Sequence, residues 1–253
     1  MSKTKIKIPF IYEILLCVLM IILFRISASW KYFIYSAIGI ISRSVFTDII
    51  GILTHILVFS IVFALGLKIQ KRTLVSVCSF TKVKTLVWCS LVLCTVGFVL
   101  FRFFLSALFD SFLWGWFTDY YTDEYILFTD ILDHAVIPAI AEELLFKGLL
   151  YFTLRKRFNV FVSVIISSLL FAGCHLDLIQ FIPLFLFSCF TFWVYLRTGN
   201  IFLPMFIHFI NNLFVFIMLW EPFSEPATFF AALILFFSGA YLFNKASVKE
   251  GKK

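Results

Sequence analysis

The chain alternates long apolar runs with short polar or basic connections, and eight of the runs approach the length that crosses a bilayer. They cover 8–26, 49–67, 85–105, 131–152, 160–174, 178–196, 202–220 and 227–243. Each run is continuously apolar, which selects helices over the short alternating strands of a membrane barrel. The fifth run is short, and the third can continue past Arg102 to Phe109. The predicted fold class is all-α: a polytopic integral membrane helical bundle of about eight transmembrane helices, with one transmembrane domain over 1–253. No repeat or low-complexity tract interrupts the pattern.

Composition strengthens this reading. Of 253 residues, 62% are hydrophobic and 14% charged, against roughly a quarter charged in a soluble domain. The mean hydropathy is +1.05, and 36 phenylalanines exceed what a soluble core needs. The net charge of +7 could serve nucleic acid, but the basic residues cluster at the ends of apolar runs. Such placement marks cytoplasmic connections, and no nucleic-acid partner is expected. The N-terminus, the 68–84 connection, Arg155 to Arg157, Arg197 and the lysine-bearing tail all fall on one side if eight spans start from the cytoplasm. Asp110, Asp119, Asp123, Glu124, Asp130, Glu221 and Glu225 then fall on the other, with Lys31 and Arg43 as exceptions. The expected location is the cell membrane, multi-pass, with both termini cytoplasmic.

The 30–46 connection, aromatic at Trp30, Tyr32, Phe33 and Tyr35, is expected to lie along the interface. Trp114, Trp116, Tyr120, Tyr121 and Tyr125 fit an aromatic belt. The N-terminal lysines and apolar run resemble a signal peptide, but Glu13 and Arg25 favour a retained first helix. The end of the chain carries no prenylation box. Six scattered cysteines make no CxxC pair and read as packing residues. His55 and His134 read as helix–helix or interface histidines.

The fourth run carries the unusual chemistry. Glu142 and Glu143 sit in its interior, where one carboxylate costs roughly 2.5–3.5 kcal/mol on insertion scales. Glu143 and Lys147 are four apart, in the favourable acid-before-base order, and can neutralise each other. Glu142 lies about 100° around the helix with no local partner, so it is the carboxylate open to proton transfer. Pro138, one turn earlier, can kink the helix and release a carbonyl. Later runs hold Phe171 and His175, then His208 and Asn212, each pair at i, i+4. Gly173 permits close approach by a helix or a substrate backbone. A structural reading accounts for one Glu–Lys pair; it leaves Glu142, His175, His208 and Asn212 needing partners, which convergence around water supplies. Ideal spans set these groups at different depths, so convergence requires tilt or a fifth helix that ends within the membrane.

At these residues the chain resembles the CPBP family, which includes type II CAAX-prenyl endopeptidases and bacteriocin-immunity proteins. Its pattern is a double glutamate with arginine four residues after the second, then Phe-x-x-x-His, then His-x-x-x-Asn. Here it reads Glu142-Glu143-Leu-Leu-Phe-Lys147, Phe171 to His175, and His208 to Asn212, within a catalytic core at 130–220. Lys147 departs from the usual arginine and lacks its planar fork. The resemblance implies an intramembrane endopeptidase acting on membrane-associated peptides or proteins. Glu142 would be the general base for water, His175 would position that water, and His208 and Asn212 would bind the oxyanion. Glu143, held by Lys147, would orient these groups, and Phe171 would shape the pocket wall. No cofactor is expected. Zinc stays open, because two histidines and a glutamate can hold it, although HExxH is absent.

Two other classes compete. One is a catalytically silent family member acting as an immunity or scaffold protein. The other is a transporter, since intramembrane carboxylates also mark ion paths; that class predicts broken helices in two matching halves, which the sequence lacks. The phenylalanine-rich short form points to a bacterial protein. A membrane-associated peptide, lipoprotein fragment or exported pheromone precursor then suits it better than a prenylated substrate.

Overall fold

A computed structural model describes residues 10–37, 45–78, 82–112, 128–217 and 226–247. Every described part of the eight apolar runs is helical, apart from the turn residue Cys174 at the end of the fifth, and no strand occurs among the described residues. The long helices are α1 (Phe10–Ala37), α2 (Val45–Gln70), α4 (Thr85–Phe112), α9 (Leu178–Thr198) and α11 (Pro226–Ser247), with a short α3 (Leu74–Val77) after α2. Each of the five contains a stretch long and apolar enough to cross a membrane. Two apolar helices are shorter, α8 (Val160–Gly173) and α10 (Phe202–Ile217). At about 1.5 Å per residue, the 14 residues of α8 span about 21 Å, less than the ~30 Å of hydrocarbon. The protein is a polytopic helical membrane protein.

One expectation changes. The first helix does not stop near residue 26 to release an interfacial segment: α1 runs on to Ala37, because nothing from Ser27 to Ala37 is a glycine or proline that would break it. The third run does pass Arg102 and continues to Phe112. The expected aromatic belt at 114–125 lies outside the described residues.

The fourth run is not one regular helix. It passes through α5 (Phe128–Ile131), a π-helix π1 (Leu132–Val136), α6 (Ile137–Glu143), a second π-helix π2 (Leu144–Leu150) and α7 (Tyr151–Leu154). Pro138 has no N–H to continue the α-helical ladder, and π1 immediately precedes it. Such π segments are rare and frequently occur at functional sites.

The chain divides into two compact units, and the boundary passes through α6. Unit 1 comprises Met1–Cys78 and Ala141–Ser167. Within it α1 packs on α2, and both touch π2. Cys17, Met20, Ile21 and Phe24 form the buried face of α1, whereas Ile11, Leu15, Leu19 and Ile26 stand exposed on the other. A large apolar face turned outward is what a helix offers to lipid rather than water. Gly148 permits α3 to approach π2, since a Cβ there would lie 2.5 Å from Val77 Cγ1.

Unit 2 comprises Ser79–Ile140 and Ser168–Lys253. Phenylalanines fill its core, with Phe98 packed against Phe187 and stacked on Phe190. Helices α4 and α11 approach closely through two glycines. A Cβ at Gly97 would stand 2.5 Å from the Phe236 backbone nitrogen, and one at Gly239 2.7 Å from that of Cys94. Backbone cannot yield as a side-chain tip can. Gly239→Ala is therefore expected to cost about 1–3 kcal/mol, as overpacking does. Gly173→Ala, with nothing within 4 Å of its Cβ, should stay within about 0.5 kcal/mol. Unfolding titrations in detergent compare the two. Among the described residues, none approaches the Cβ position of Gly173, so no described helix uses it for close approach. None of the six cysteines is in a disulfide.

Candidate active site

The two glutamates end α6, where the helix widens into π2. Both are buried, at 2% and 1% exposure, and so is Lys147 at 1%. Lys147 Nζ lies 2.5 Å from Glu143 Oε2, so lysine forms the neutralising pair even without the fork of an arginine. Glu142 has a partner that local spacing could not show. Arg25 of α1, whose side chain is 37% exposed, places Nη1 3.4 Å from Glu142 Oε1. The two carboxylates are thus held by different cations from different elements.

Side chains from elsewhere in unit 1 serve the carbonyls of π2. Arg72 donates to the Gly148 oxygen at 2.5 Å and lies over the Phe152 ring. Gln70 donates to the Leu149 oxygen at 3.4 Å and to Thr153 Oγ1 at 3.0 Å. Ser167 donates to the Phe146 oxygen at 3.4 Å. A wide helical turn needs such donors, since buried carbonyls are rarely left unpaired. They fix the turn that carries Lys147.

The histidines lie in unit 2. His175 falls in the turn after α8, and its Nδ1 lies 2.8 Å from the Phe171 carbonyl. A carbonyl only accepts, so Nδ1 carries the proton and Nε2 of the neutral ring is an acceptor. The next residue, Leu176, has φ +54°, a left-handed conformation costly to a non-glycine residue. Asp177 caps α9 by accepting from the Gln180 backbone N–H at 3.0 Å. His208 is 2% exposed. The Phe171 ring packs on both histidines, 5.0 Å from His175 and 5.8 Å from His208, with Phe187 5.2 Å from His208. Phe171 therefore does more than line a wall: its carbonyl sets the tautomer of one imidazole and its ring packs on both.

Asn212 donates through Nδ2 to the His134 carbonyl at 3.3 Å. In an α-helix that carbonyl would accept from residue 138, which is proline. The asparagine thus serves the carbonyl that Pro138 deprives of its regular donor. His134 contributes its backbone here while the residue itself is exposed. His55 is buried at 1% with its ring 4.6 Å from Phe24. The sequence reading did not use Arg25 or Arg102 as site residues, nor Asn211, buried at 1%. The signal for the arginines was present, since a cation inside an apolar run is a functional candidate by default.

Among the described residues no group of three His, Cys, Asp or Glu is arranged to hold a metal ion.

Residues 123–214 match the family model described as Rce1-like, type II CAAX prenyl endopeptidase. That stretch contains Glu142, Glu143, Lys147, Phe171, His175, His208 and Asn212. A curated relative from Bacillus subtilis (strain 168), named "Putative membrane peptidase YdiL", is 36% identical over 93 residues. The matched stretch is 36% of this chain and 38% of the relative. No solved structure matches the chain. Over residues 123–214 the chain is similar to the type II CAAX prenyl endopeptidases, and the double glutamate and the two histidine motifs fall in order within that stretch.

Proposed function

We propose that the protein is an intramembrane endopeptidase that hydrolyses peptide bonds of membrane-associated peptides or proteins, with Glu142 as general base. The observation that carries the reading is the division of labour between the carboxylates. Glu143 is closed into a fully buried pair with Lys147, whereas Glu142 pairs with the half-exposed Arg25 of α1. As general base, Glu142 would take a proton from water as the oxygen attacks the scissile carbonyl. His175, with Nε2 as acceptor, would position that water. His208 and Asn212 would donate to the oxyanion; the Asn212 amide has two N–H groups, and His134 takes one. Peptide, water and protein suffice for this chemistry without a metal. Both termini are assigned to the cytoplasm on the distribution of basic residues.

A catalytically silent family member is the second reading. The Arg25–Glu142 contact favours it, because an ion pair gives this carboxylate a structural role that needs no substrate. Purified protein in lipid nanodiscs, offered a library of membrane-anchored peptides, separates the two. The endopeptidase reading expects new peptide termini that form equally well in a chelator and disappear in Glu142→Ala. Their absence with folded wild-type protein supports the silent reading, and their loss in the chelator returns a metal to the mechanism.

A further inference from the structure

In unit 2 a directional chain of hydrogen bonds runs from a guanidinium to Asn212. Arg102 of α4 donates through Nε to Gln180 Oε1 at 3.0 Å and through Nη1 to Asn211 Oδ1 at 3.3 Å. Gln180 in turn donates to Ser106 Oγ at 2.9 Å. Asn211 donates through Nδ2 to Asn212 Oδ1 at 3.0 Å, and Asn212 donates to the His134 carbonyl at 3.3 Å.

The direction of this chain is fixed at its two ends. A guanidinium has donors and no acceptor, so Asn211 must face Arg102 with its oxygen. Its NH₂ then faces Asn212, whose oxygen must accept, leaving the Asn212 nitrogen to point at π1. There a carbonyl, which can only accept, receives it. Reversing either amide would set oxygen against oxygen or N–H against guanidinium. Hydrogen bonds in series also polarise one another, so a cation at the start strengthens the donor at the end.

We propose that Arg102 is a positioning residue which, through Asn211, holds the Asn212 amide with nitrogen rather than oxygen toward its partner and presents the second N–H as a donor. The presenting step rests on the endopeptidase reading; the amide orientation does not. Asn211→Asp isolates the effect. Aspartate still accepts from Arg102 and keeps the shape, but it cannot donate to Asn212 Oδ1. Arg102→Met removes the origin of the chain, and Arg102→Lys retains one donor.

Two measurements are made on the full chain in nanodiscs. The first is steady-state cleavage of a membrane-anchored peptide that the wild type cuts. Asn211→Asp and Arg102→Met should lower kcat by about 10²–10³-fold with KM unchanged, the scale of losing one oxyanion donor, and Arg102→Lys should recover most of it. The second needs no activity. The chain has five asparagines, so an ¹⁵N-asparagine sample gives five side-chain amide pairs, assignable by substitution. The Asn212 pair should show one hydrogen-bonded and one more labile proton, a difference lost in Asn211→Asp and Arg102→Met and kept in Arg102→Lys. An Asn212 pair unchanged in both disrupting variants overturns the proposal whatever the enzyme does. Kcat unchanged in Asn211→Asp, beside a shifted amide pair, overturns the presenting step alone. A wild type that cleaves nothing removes the endopeptidase reading and leaves the amide orientation to be decided by the spectra.

Discussion

Glu142→Gln is expected to lower peptide cleavage by about 10²–10⁴-fold, the contribution of a positioned general base, while leaving the protein folded. Glutamine matches glutamate in shape, and its carbonyl oxygen can still accept from Arg25 Nη1, which lies 3.4 Å from Glu142 Oε1. What it cannot do is take a proton from water. Glu143→Gln should behave differently, because it leaves the Lys147 ammonium buried at 1% exposure without its carboxylate. That variant should lose folded protein first and rate per folded molecule second. Cleavage rates normalised to folded protein, with an unfolding titration beside them, distinguish the two glutamates. Equal rates for Glu142→Gln and wild type would remove Glu142 from the chemistry.

Lys147→Met should destabilise the protein by about 3–5 kcal/mol, since it strips the partner from a buried carboxylate. Glu143 and Lys147 are each 1% exposed, and the approach of water that softens such losses at a surface is closed here. Removing both charges in Glu143→Gln/Lys147→Met should recover most of the loss, because a neutral, well-packed replacement of a buried pair is often tolerated. The cycle is read from unfolding free energies in detergent, and a double variant as unstable as Lys147→Met alone would mean that the lysine acts through packing rather than charge. The same cycle interprets the departure from the family's arginine. If charge compensation is the role, one ammonium contact suffices.

The transmembrane helices were legible because apolar continuity over about 20 residues has few other meanings. The first helix runs past residue 26 because aromatic residues at 30–35 suit a helix as well as an interface, and no glycine or proline there breaks it. The π turns of the fourth run were not legible. A π turn persists when other elements supply donors to its carbonyls, and here Gln70, Arg72 and Ser167 do so from distant sequence positions. Glu143 and Lys147 could be paired on paper because four residues of helix bring them together. Arg25 and Glu142 are 117 residues apart, and no local rule joins them. Asn212 was singled out by its i, i+4 relation to His208, but its amide donates to a carbonyl 78 residues away. Pro138 was the clue to that contact, since it denies His134 the regular α-helical donor.

The central claim, that Glu142 hydrolyses peptide bonds in the membrane, is tested most directly by comparing membrane peptide termini in cells. Wild type and Glu142→Gln are expressed at matched levels and the termini quantified by mass spectrometry. The account predicts a defined set of new termini, clustered at membrane-embedded or membrane-adjacent bonds, present with wild type and missing with Glu142→Gln. Identical termini in the two, with both proteins folded and in the membrane, would contradict it.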